Sequence, residues 1–98
     1  MLPLHYNDGR EIEPSKFLET KEELVQKFGY CSALTPSEGT WVDPSGGKRH
    51  DDINTGFYVD IAALDKDVEA FLASYKERLK KRFNQREIYI TYHDIRVV

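Results

Sequence analysis

Apolar and polar positions alternate in several short stretches of this chain and recur at helical spacing in two longer ones. Leu2, Leu4 and Tyr6 alternate with Pro3 and His5, the period of a strand with one buried face. Asn7-Asp8-Gly9 follows, residues that tolerate positive φ, and Arg10-Glu11-Ile12-Glu13 resumes the alternation, so residues 2–13 predict a short β-hairpin. Pro14 cannot donate to a ladder and holds Glu13 extended, which predicts that the strand stops there. Thr20-Lys21-Glu22-Glu23 matches a capping box, with Thr20 at the N-cap and Glu23 three residues on. Leu24, Val25 and Phe28 then share a face and Gly29 supplies a stop, predicting a helix of about two turns, preceded by a turn over 15–18.

Strand character is expected around 31–34 and again around 39–42, where Trp41 is the anchor. Asp43-Pro44-Ser45-Gly46-Gly47 is a strong turn, so the polar run from Lys48 to Asp52 should return antiparallel to Trp41. Phe57, Val59 and Ile61 alternate with Tyr58 and Asp60 as a half-buried strand. Val68, Phe71, Leu72, Tyr75, Leu79 and Phe83 form a stripe at helical spacing and predict a helix over 66–83, capped by Asp65 or Asp67. Ile88, Ile90 and Tyr92 alternate as a strand over 87–92, His93-Asp94 turns, and 95–98 closes as another short strand. The fold class that follows is α+β in one domain over 1–98: a mostly antiparallel sheet with both helices on one face, nearest to a ferredoxin-like split βαβ arrangement.

Composition narrows the classes. With 98 residues, 40% hydrophobic, 32% charged and 12% aromatic, the chain holds too much apolar matter for disorder and too little length for two cores. So small a domain gains from a partner that covers an apolar edge, and a homodimer is expected. No run approaches a membrane span, and the amino terminus lacks a signal peptide's basic and apolar regions, so the expected location is cytoplasmic. The single Cys31 excludes an internal disulfide framework and reads as a small semi-buried residue.

A set of scattered residues also carries a resemblance: Asp8-Gly9, Phe28-Gly29, Gly39-x-Trp41, Asp52, Tyr58-Val59-Asp60, Tyr75-Lys76-Glu77-Arg78-Leu79-Lys80, Arg82-Phe83-x-Gln85 and Ile88-Tyr89-Ile90. With these the chain resembles, over nearly its whole length, a family of small uncharacterised bacterial proteins. That family has no known activity, so the resemblance implies a complete single-domain protein and brings no role to any residue.

Few constellations carry chemistry. His50-Asp51-Asp52, with Asp43 across the predicted hairpin, crowds an imidazole with carboxylates, yet in a strand only His50 and Asp52 share a face, which leaves two ligands where a metal site needs three or more. Asp8 at a strand end could serve a metal-dependent nuclease by fold analogy, although Asn7-Asp8-Gly9 is also what a tight turn requires. His5 and His93 are isolated, and Ser45-Gly46-Gly47-Lys48 lacks the spacing and following helix of a phosphate loop. The sharpest local feature is charge: the chain is net −3, residues 76–86 are net +5, and residues 1–75 are net −7. Lys76, Lys80, Lys81, Arg82 and Arg86 form a candidate basic patch for an acidic protein surface, while the acidic majority disfavours nucleic acid. The expected function is a cytoplasmic binding or protein-interaction module that self-associates, with no cofactor, no membrane partner and no catalytic residue. The alternative is a metal-dependent nuclease or hydrolase using Asp8 or the His50 and Asp52 pair.

Overall fold

The computed structural model describes residues 1–34, 36–42, 44–47 and 49–98, and for 37, 39, 41 and 49–52 the backbone alone. In chain order the elements are β1 (Leu2–Pro3), α1 (Pro14–Phe28), β2 (Ser32–Ala33), β3 (Ser37–Val42), β4 (Arg49–Thr55), β5 (Phe57–Tyr58) and α2 (Lys66–Arg82). The class is α+β, as the pattern predicts. A three-stranded antiparallel sheet runs β1-β4-β3, with Leu2 opposite Thr55 and Trp41 opposite His50, and β2 pairs separately with β5. The returning polar run is therefore antiparallel to Trp41, while the side chains of Trp41, His50 and Asp52, and all of Asp43 and Lys48, lie outside the described residues.

The first hairpin forms through its turn. Gly9 at φ +90° donates its N–H to the Tyr6 carbonyl (2.9 Å), Tyr6 N donates to Arg10 O (2.8 Å) and Ile12 N to Leu4 O (2.9 Å). This is the three-residue loop in which glycine takes the left-handed bulge position.

The start of α1 corrects the predicted helix. Pro14 does not merely end the strand; its fixed φ suits the first helical position, where the missing N–H has no intrahelical partner to lose. The helix is thus 15 residues long, and Thr20 sits inside it with Oγ1 donating to the Lys16 carbonyl at 2.8 Å. Gly29 closes it at φ +80°, its N–H reaching the Val25 carbonyl at 2.7 Å. In α2 the Asp65 carboxylate accepts from Val68 N at 2.9 Å, so the predicted cap and span both hold to within a residue.

The core gathers Leu2, Tyr6, Ile12, Leu24, Cys31, Tyr75, Leu79, Phe83 and Ile88. Phe83 is fully buried and its ring lies 5.1 Å from that of Phe17, while Phe71 meets Phe28 at 5.7 Å and Tyr75 at 5.1 Å. The Phe17–Phe83 and Phe28–Phe71 contacts bring α1 against α2 and its end. β5 ends at Tyr58, short of the predicted strand, although Phe57 and Val59 still pack on the core.

The carboxy-terminal segment departs furthest from its pattern. Residues 87–98 have the alternation of strands but join no ladder, so the predicted strands over 87–92 and 95–98 are absent and the ferredoxin-like arrangement is only approximate. Ile88 is 2% exposed and anchors the segment, and the Met1 nitrogen donates to the Tyr89 carbonyl at 2.8 Å. Beyond it, Tyr89, Tyr92, Ile95 and Val97 face solvent.

Candidate functional site

The five cations of the predicted basic patch occupy very different settings. Arg82 is 11% exposed at its side chain and forks onto the Glu23 carboxylate, with Nη2 at 3.1 Å from Oε2; it also donates to Thr20 Oγ1 at 2.9 Å and reaches Glu19 at 3.4 Å. The same Glu23 takes Arg78 at 3.1 Å and the Tyr75 hydroxyl at 3.1 Å. Lys76 pairs with Glu87 at 2.7 Å and Lys80 with Glu77 at 3.2 Å. Lys81 and Arg86 alone of the five have no ion pair among the described residues, and both are exposed. Three of the five positive charges are therefore answered within the chain, two of them by acids distant in sequence or on another element.

The network around Glu23 is electrostatically consistent. The hydrogen bond from Arg82 holds the Glu23 carboxyl below its usual range, and burial, then the Glu23 charge, pushes the Tyr75 phenol up to about 12. A second cluster binds the hairpin to the start of α1: the Tyr6 hydroxyl donates to Glu13 and accepts from Lys16, with the Arg10 and Lys16 cations 5.2 and 4.9 Å from the Tyr6 ring centroid. The Tyr6 hydrogen bond is the main reason that Glu13 falls to about 2.

Of the candidate metal ligands, Asp8 is committed to its turn. Its carboxylate accepts from the Arg10 backbone N–H at 3.0 Å and from Arg10 Nε at 2.7 Å. His50 and Asp52 face Trp41 and Gly39 across the β3–β4 ladder, and their side chains lie outside the described residues. Among the described residues, no group of three His, Cys, Asp or Glu could hold a metal ion. Burial raises the Cys31 thiol, which makes it a poor nucleophile.

Two surfaces remain that sequence reasoning missed or misassigned. The first is an open groove of about 580 Å³ bounded by the hairpin, α1, β2 and β5. Leu4, Ile12, Pro14, Phe17, Leu18 and Phe57 give it an apolar lining, with His5, Glu11, Lys21 and Thr55 as its polar members. Leu18 is 64% exposed there. The signal for this groove is the pair Phe17-Leu18, which a helix starting at Pro14 displays from one turn and a helix starting at Thr20 leaves in a loop. The second is the unpaired segment after Ile88, apolar at Tyr89, Ile90, Tyr92, Ile95 and Val97.

Such a groove suits the uptake of apolar side chains with a few oriented polar contacts, and such a segment suits strand-like docking. Among the described residues no helix is long and apolar enough to cross a membrane. No family model, no curated protein and no solved structure matches this chain, so its fold and surfaces stand on their own residues.

Proposed function

We propose that this chain is a small cytoplasmic protein-interaction module that associates with itself. The observation that supports the reading is the segment 89–98, whose backbone joins no strand ladder while Tyr89, Tyr92, Ile95 and Val97 are 70%, 69%, 57% and 92% exposed. A run of large apolar and β-branched side chains whose backbone stands outside any ladder is a template for pairing with another chain. The alternative, a metal-dependent hydrolase on Asp8 or on His50 and Asp52, draws less support because Arg10 already occupies the Asp8 carboxylate.

Light scattering across the micromolar range tests the proposal. A mass of twice 11.4 kDa is expected, and a mass of one chain at every concentration overturns it.

A further inference from the structure

The groove and the carboxy-terminal segment lie at opposite ends of α2. Lys76 holds Glu87 at 2.7 Å, and Ile90, Thr91 and Tyr92 line a cleft with Leu64, Glu69 and Leu72, so the segment runs back along α2 toward that helix's first turn. Phe17, which walls the groove, instead meets Phe83 just past the last turn of α2. That cleft takes α2 residues from Glu69 to Lys76, which at 1.5 Å of rise per residue lie about 10–20 Å from Phe83. Residues 93–98 span at most about 20 Å when fully extended. A return to their own groove therefore takes about half or more of the reach of these six residues before any of them can fill it.

From this placement we infer that residues 93–98 of one copy occupy the apolar groove of a second copy, reciprocally about a two-fold axis. The inference rests on the proposed self-association and names its surface. Ile95 and Val97 project from one face of an extended segment, which suits a groove lined by Phe17, Leu18 and Ile12. The charges agree as well. Glu11 and Lys21 of the groove have no ion pair among the described residues, nor do Asp94 and Arg96, so each side offers one cation and one anion to the other. Reciprocal exchange uses each groove once and closes the assembly at two copies, with the buried area doubled by symmetry.

The test mixes two full-length variants in a Cys31→Ala background, one carrying Leu18→Cys and the other Val97→Cys, under mild oxidation. A disulfide-linked dimer from the mixture, with far less from either variant alone, is expected. A second measurement needs no cysteine change: ending the chain after Tyr92 should return the mass to that of a single chain while the circular dichroism stays unchanged. Dimers that form but never cross-link, or that survive the shortening, overturn this inference and leave self-association standing. A chain carrying both cysteines that closes its own disulfide as a monomer overturns the exchange. A full-length chain that is monomeric throughout overturns self-association itself and the inference with it.

Discussion

Arg82 donates to the hydroxyl of Thr20 at 2.9 Å across 62 residues of sequence, and Thr20, 1% exposed, returns its own proton to the Lys16 carbonyl. That relationship takes the threonine out of any capping role. It also turns the most buried cation of the supposed patch into the link between the two helices.

Arg82→Ala should therefore destabilise the fold by about 1–3 kcal/mol, because Glu23 and the Thr20 hydroxyl lose a half-buried partner. Arg82→Lys should recover only part of this loss, since an ammonium cannot make the forked contact with both Glu23 oxygens. Denaturant midpoints of the two variants check the order; equal midpoints for lysine and arginine would show the fork to be idle.

Phe83→Ala should cost about 3–5 kcal/mol and Leu79→Ala about 2–5 kcal/mol, each leaving a cavity in a small core. Phe71→Ala should cost less than Phe83→Ala, as Phe71 is half-buried and Phe83 is fully buried. Equilibrium unfolding in urea measures all three, and a reversed order would misplace the apolar face of α2.

The helix-linking network makes two pH dependences. Glu23 has a lowered pKa, chiefly through Arg82, so its contribution is complete above the usual carboxylate range and is lost as pH falls through the depressed value. Tyr75 has a raised pKa, so its contribution is complete below its ordinary value of 10.0 and is lost as pH climbs toward about 12. Thermal melts of Glu23→Gln should lose less stability in acid than the parent, and those of Tyr75→Phe less in alkali. Parallel curves for parent and variants would remove the assignment.

Gly29→Ala should cost about 1 kcal/mol, since at φ +80° a Cβ is strained even though nothing lies within 4 Å of where it would sit. A variant as stable as the parent would mean that the end of α1 unwinds freely. Calorimetric melting distinguishes the two.

Oligonucleotides should bind only weakly at physiological salt, because Lys76, Lys80 and Arg82 are engaged by Glu87, Glu77 and Glu23, and of the five cations of the patch Lys81 and Arg86 are left for phosphates. Fluorescence polarisation against salt reads this directly. Submicromolar binding lost in Lys81→Glu would reverse the ranking of partners.

What could be read from sequence was what is local. The 7–9 turn, the Asp65 cap, the α2 stripe and the return of β4 onto β3 each depend on residues within a few positions of one another. The beginning of α1 is not legible because two local signals compete, Pro14 as a strand end and Thr20 as a cap, whereas Pro14 takes the first helical position and Thr20 bonds Lys16 and Arg82 from inside the helix. The 87–92 alternation predicts a strand that does not form, because a ladder needs a neighbour at another place in the chain and periodicity does not name one. The setting of the candidate patch was hidden for the same reason: a cluster of cations is visible in sequence, whereas Glu23, which answers Arg82 of that patch and Arg78 beside it, lies more than fifty residues upstream.

The burial of Phe83 and Ile88 has a consequence for the chain as it is made. Leu2 and Pro3 pair with Thr55 and Asn54, and the core that covers Leu2 and Tyr6 is sealed by side chains more than seventy residues downstream. A nascent chain emerging from the ribosome can form α1 and the first hairpin early, but both present apolar faces with nothing yet to meet them. Folding of this domain thus waits on synthesis through residue 88, and during that interval its early half is a natural client for chaperones.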